Sequence, residues 1–265
     1  MKIFIKQNWF KLCILLIVFS ILSLLFIKIP NTEREEKQDC NIAKIDLNGE
    51  LFVSESELST DNTNDTASET IVQEIERAKE DRHIKGIILN VNSVGGSMVG
   101  GEQIMQALKA SKKPTVALIN EEGLSASYFA STGANKIIAS KFSDVVDIGI
   151  TASYVENSQK DTQEGLTFVP LATGKYKDMF NLDKPMTDEE KDIVMKHIKV
   201  AHDNFVAGVA ENRHLSLDTV KSFAIGLTMT AEDAFKNGFI DQIGGIQEVK
   251  DYFKKETGKD IKICK

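Results

Sequence analysis

The sequence predicts an α/β body of stacked β-α units with a helical C-terminal part, preceded by one N-terminal transmembrane helix. Three observations carry that expectation. An apolar run follows three lysines at the N-terminus, short β-branched runs alternate with helical periodicity between Ile84 and Ala139, and a capping box after Pro185 opens a long apolar stripe. The 265 residues are 42% apolar and 27% charged, which suffices for a sizeable core. A net charge of -7, few arginines and no basic stripe speak against a nucleic-acid partner.

Lys2, Lys6 and Lys11 precede the uninterrupted run from Leu12 to Ile27. At about 1.5 Å per residue that run reaches only about 24 Å, whereas Trp9 to Ile29 reaches roughly 31 Å with Lys11 and Lys28 snorkelling, enough for one span. Neither a small-residue cleavage site nor a lipobox cysteine follows. Residues 1–29 are therefore expected to remain as an anchor, a cleaved signal being the alternative, with 30–41 as a linker and 42–265 as the folded body. Basic residues before the span, and Glu33, Glu35, Glu36 and Asp39 after it, place that body outside the cytoplasm. Cys13 falls in the anchor as apolar filler. Cys40 and Cys264 lie near the two ends of the body; pairing in an oxidising compartment and two unrelated thiols are both open, because spacing alone does not give their separation.

Within the body, Ile42 to Gly49 alternates as a strand ending in a turn, and the Ser, Thr, Asn and Asp of Ser54 to Ser68 read as a loop. Ile71, Ile75 and Ala78 mark a helix from Thr70. Ile84 to Val91 is a strand, Gly101 to Ala110 a helix with Ile104, Met105 and Leu108 on one face, and Thr115 to Ile119 the next strand. A short helix near Ser125 to Thr132 leads to a strand at Lys136 to Ala139, and Ile148 to Tyr154 and Leu166 to Ala172 read as extended. Alternation of this kind builds a mixed or mainly parallel sheet. Thr187 to Glu190 forms a capping box, and Val194, Ile198, Ala201, Phe205 and Val209 stripe the helix behind it, a face suited to a partner surface. Two short helices begin near Ser216 and Thr230, with Gly238 placed as a C-cap.

Two strand ends offer chemistry. Asn92-Ser93-Val94-Gly95-Gly96-Ser97 precedes a helix, where glycines let backbone N–H groups point outward to hold an oxyanion or a phosphate; no Gly-Lys-Ser/Thr follows, so it is not a P-loop. Ser125 stands at the start of its helix, where free N–H groups favour negative charge. The N–H groups of Gly96 and Ala126 are candidates for holding an attacked carbonyl, and an N-cap serine is the alternative. His83, His197, His202 and His214 sit away from these loops, and His197 and His202 are five apart rather than four, so the base for Ser125 is not expected to be imidazole. A lysine within Thr173 to Phe180 serves as a base if burial lowers its pKa; otherwise it is solvated.

From about Ile42 to Tyr252 the chain resembles the signal peptide peptidase A family of serine peptidases (family S49), which has a crotonase/Clp-protease-like fold. Four collinear stretches carry the resemblance: Asn92 to Ser97; Ser125-Ala-Ser-Tyr-Phe129 with Ala134-Asn-Lys-Ile137; Gly174-Lys-Tyr-Lys-Asp178 with Pro185-Met-Thr-Asp-Glu-Glu190; and Thr230 to Gly245. The resemblance implies Ser125 as nucleophile, Lys177 as general base and Gly96 in the oxyanion hole. It also implies a membrane-anchored endopeptidase that cuts signal peptides or other extended apolar peptides through an acyl-enzyme, working as a homo-oligomer without metal, nucleotide or other cofactor.

The departures from the family pattern concern the same site. Val94 replaces a proline, Ala126-Ser127 replaces two glycines, and Asp147 stands where a serine assists the lysine. An ionised Asp147 beside Lys177 would favour the ammonium and oppose its use as a base, whereas a protonated one would still hydrogen-bond the amine. The alternative function is accordingly an inactive, membrane-anchored peptide-binding scaffold of the same fold.

Overall fold

The structure is a computed structural model that describes residues 40–58 and 64–264. The transmembrane helix expected within residues 1–29 lies outside them; among the described residues no helix is long and apolar enough to cross a membrane. The sheet contains β1 (Ile42–Phe52), β2 (Thr66–Ala67), β3 (Gly86–Gly96), β4 (Thr115–Leu124), β5 (Lys136–Ala139), β6 (Asp144–Val146), β7 (Thr228–Thr230) and β8 (Gln242–Ile243). Its main order is β2-β1-β3-β4-β5-β8, every pair parallel; β6 runs parallel beside the end of β4, and β7 pairs antiparallel with β6. The helices are α1 (Ser68–Glu80), α2 (Met98–Lys109), α3 (Ser125–Ser131), α4 (Ser158–Gln163), α5 (Asp188–Arg213), α6 (Leu217–Phe223), α7 (Ala231–Lys236) and α8 (Ile246–Thr257).

Adjacent residues of one strand are buried on opposite faces because both faces are covered, the usual condition of a parallel sheet. Ile87 and Leu89 join the larger core with Ile75 of α1, Ile104 of α2, Tyr128 of α3 and Phe205 of α5. Ile88, Val116 and Ile138 face the other way, onto Val249 and Phe253 of α8. Among the described residues every buried member of both cores lies between Ile42 and Phe253, and the body that begins at Cys40 is a compact unit with its own core. A disulfide joins Cys40 to Cys264 with their Cα atoms 5.1 Å apart, and the Cys264 N–H donates to Ile42 O (2.8 Å), fastening the C-terminal segment beside β1.

The observed strands correct several expectations. β1, β3 and β4 run on to Phe52, Gly96 and Leu124, so the glycine stretch expected as a turn is the last part of β3. The ladder persists through Gly49↔Ser93 and Ser93↔Gly123, where polar side chains at the sheet's end hid the strands from hydropathy. Ile148 to Tyr154 and Leu166 to Ala172 are irregular and belong to no ladder among the described residues. In the second stretch the apolar side chains are exposed, Leu171 to 95%, whereas Ile148 at the start of the first is fully buried.

The long helix begins as expected, with Thr187 Oγ1 accepting from the Glu190 N–H while Glu190 accepts from the Thr187 N–H. Its stripe is buried only in the second half, at Phe205 and Val209. Val194, Ile198 and Ala201 are partly exposed, and Met195 and Val200 open to solvent.

Candidate active site

β4 delivers Leu124 in extended geometry (φ -114°, ψ 151°), and the chain turns at once into α3 through Ser125 at φ +51°. A non-glycine residue in the left-handed region costs roughly 1–3 kcal/mol and persists where its surroundings fix it. A strand-to-helix turn of this kind lifts its first helical side chain out of the core.

The fixing comes from the end of β3. Gly95 has φ +94°, and a Cβ there would stand 2.7 Å from Leu124 O, 2.8 Å from Ser125 Cβ and 2.9 Å from the Ala126 nitrogen. Gly96, at φ +139°, lies so close to β1 that a Cβ would meet Leu51 O at 2.4 Å. Hydrogen bonds lock the layers together: Ser93 Oγ donates to Gly49 O (2.7 Å) and accepts from the Gly95 N–H (3.1 Å). Ser127 Oγ lies 2.8 Å from both Ser93 O and Leu124 O, with its one proton available to either.

Ala126 and Ser127 are fully buried, and neither has a positive φ, so their side chains are accommodated without glycine's freedom. Val94, half exposed, stands on the rim.

Ser125 opens into a cleft of about 590 Å3 shared with Glu50, Gly95, Gly96, Met98, Asp147, Ile150 and Gly226, among others. Asp147 arrives there by register. Leu124 pairs with Val146, so Ser125 and Asp147 are the residues that directly follow the ends of two neighbouring parallel strands. The backbone around Asp147 is itself bent, with Val146 at φ +80° and Asp147 at φ +52°.

Burial pushes the Asp147 carboxyl above the ordinary aspartate range. A raised native pKa means that the stability tied to Asp147 is present below its unfolded value and is lost as pH rises through the folded value. Asp147→Asn, which keeps a side chain at home in left-handed backbone, is therefore expected to be more thermostable than the parent at pH 7. The gap should close near pH ~3, where the parent carboxyl is neutral as well. Thermal melts at the two pH values check this, and an equal gap at both would contradict it.

Lys177 does not line this cleft within one copy of the chain. It is exposed on a turn in which its N–H donates to Gly174 O (3.1 Å). Its neighbours are engaged: Lys175 pairs with Glu189 (2.6 Å), and Lys184 pairs with Glu190 (2.8 Å) and Asp178 (3.5 Å). Those bonds from Lys184, with the Thr187 N–H and hydroxyl, push the Glu190 carboxyl down to about 2. Among the described residues Lys177 has no ion-pair partner.

None of the four histidines lines the cleft: His83 lies against Asp81, His202 Nε2 is 3.1 Å from Ala224 O, and His214 ends α5 in left-handed geometry. Glu50, which does line it, escaped the sequence reading because only the Glu50↔Gly95 pairing brings it there.

Comparison with known proteins agrees with this architecture. Residues 107–260 match the family model described as Peptidase family S49, and residues 41–139 match that of Clp protease. A putative protease of Methanocaldococcus jannaschii is 34% identical over 168 residues, covering 63% of this chain and 54% of the relative. A putative signal peptide peptidase SppA of Enterococcus faecium is 27% identical over 228 residues, covering 85% and 66%. Protease 4 of Haemophilus influenzae is 30% identical over 216 residues, covering 78% and 33%. The chain thus spans about half to two thirds of the first two relatives and a third of the last.

A solved ClpP1 variant from Listeria monocytogenes superposes with a TM-score of 0.50 at 13% identity, covering 76% of this chain and 91% of that one, a likeness of fold. With more than half of its 265 residues matching the family model, and with a Clp-protease-like sheet behind the Ser125 turn, the chain belongs to peptidase family S49.

Proposed function

We propose that the protein is a membrane-anchored, extracytoplasmic serine endopeptidase that cuts signal peptides or other extended apolar peptides through an acyl-enzyme on Ser125. The observation that carries this reading is the strained turn at Ser125, opening onto a cleft beside Gly96. In the reaction Lys177 takes the Ser125 proton as Oγ attacks the carbonyl. The Gly96 and Ala126 N–H groups hold the oxyanion, and the lysine returns the proton to the leaving amine. Water then repeats the sequence to release the acyl group.

Lys177 lies outside the cleft of its own chain, so the base is supplied by a second copy in a homo-oligomer. Support for such an assembly comes from the exposed apolar residues around it, Leu166, Val169, Leu171 and Phe180, and from the half-covered stripe of α5.

Asp147 favours a second reading, the inactive peptide-binding scaffold, because an ionised carboxylate one strand from Ser125 would hold an incoming lysine as ammonium. Labelling with a fluorophosphonate separates the two. The peptidase reading expects the parent to be labelled and Ser125→Ala not to be. An unlabelled parent that becomes reactive on Asp147→Ser would establish the scaffold instead.

A further inference from the structure

Two stretches far apart in sequence meet at the N-terminal edge of the sheet, because β3 and β4 are neighbours with Ile87 paired to Thr115. Together they line a surface depression of about 420 Å3 with five basic side chains, Lys79, Arg82, Lys85, Lys112 and Lys113, against two acidic ones, Glu80 and Asp81. A positive surface on a chain of net charge -7 is a local feature of the fold.

Part of it is structural. Lys113 Nζ donates to Ala78 O and Asp81 O at the C-terminal end of α1 (both 2.5 Å), Lys85 Nζ donates to Arg82 O, and Lys79 pairs with Glu76 (2.8 Å). Arg82 and Lys112 have no such duty: both are exposed and without an ion pair among the described residues.

The opposite edge has the other sign. The charged residues around the Ser125 cleft are Glu50 and Asp147, and the 11 residues of β3 separate the two edges by about 33 Å. The described body starts at the basic edge, where the Lys85 N–H donates to Asn41 O (2.7 Å), next to Cys40.

We propose that this basic edge docks on the anionic phospholipid headgroups of the bilayer, seating the body by the edge at which its linker enters and holding the Ser125 cleft at the far edge. Cations near an anionic surface are attracted within a Debye length, whereas the acidic cleft edge is repelled from it. The proposal rests on the membrane-attachment reading for its choice of surface.

The test uses residues 40–265, which hold their own core, sedimented with vesicles of phosphatidylcholine alone or mixed with phosphatidylglycerol. Salt-sensitive binding to the mixed vesicles only is expected. Arg82→Gln with Lys112→Gln should weaken it about thirtyfold, at about fivefold per cation, and Lys141→Gln with Lys160→Gln, an equal change of net charge elsewhere, should leave it intact.

Equal binding to both vesicles, equal loss in both double variants, or binding to soluble polyphosphate with none to mixed vesicles would each overturn the proposal. Carbonate extraction of the full chain tests attachment separately. A chain retained in the membrane whose body ignores the mixed vesicles overturns the docking edge alone, and a chain released whose body still binds them removes the anchor and leaves the edge standing.

Discussion

Gly95→Ala is expected to silence Ser125 and to destabilise the body by about 3 kcal/mol. The added methyl group would enter the space of Leu124 O, Ser125 Cβ and the Ala126 nitrogen, all within 2.9 Å, at a backbone φ of +94° that alanine resists. Nothing there is the free end of a flexible side chain. Two of the three contacts are backbone, so relief must come from displacing β3 from the start of α3. That displacement separates the Gly96 and Ala126 amides, which the proposed mechanism needs on one oxygen. Denaturant melts and fluorophosphonate labelling, read together, check it. A variant as stable and as reactive as the parent would show that the turn is not held from this side.

Lys177→Ala is expected to lower peptide cleavage roughly a thousandfold, the order of effect of removing a general base, with stability unchanged. The dissociation follows from its surroundings: an exposed side chain on a surface turn, without an ion pair among the described residues, has little folding energy to lose. Lys175→Ala makes the contrast. That ammonium is bound to Glu189, so its loss should disturb the turn and leave chemistry intact. Turnover of an internally quenched apolar peptide, alongside melting temperature, distinguishes the two roles.

Much of this could be read from the sequence because local pattern and fold agree there. The apolar runs at Ile87 to Val91 and Thr115 to Ile119 are buried on both faces, and Thr187 caps its helix through the spacing that announces it. The last residues of β3 and β4 were illegible for a physical reason: Asn92, Glu121 and Glu122 reach solvent at the end of the sheet and Ser93 is a buried polar residue, so ladder bonds persist there without hydrophobic alternation. Register was equally hidden. Asp147 was marked by its place in a motif, and only the pairing of Leu124 with Val146 explains why it stands beside Ser125. The basic edge joins Arg82 to Lys112 across 30 positions of sequence, beyond the reach of any charge-run reading. In the proposed mechanism Lys177 acts across two copies, an arrangement that one chain's sequence does not display.

A base supplied by a second copy is tested most directly by mixing two inactive variants, Ser125→Ala and Lys177→Ala, after dissociating and reassociating the copies. With nucleophile and base supplied by different chains, mixed assemblies contain sites that pair an intact Ser125 with an intact Lys177. Peptide cleavage should then return to a substantial fraction of the parent's. Mixed assemblies that form yet stay as inactive as either variant alone would exclude a Ser125–Lys177 pair built from two chains.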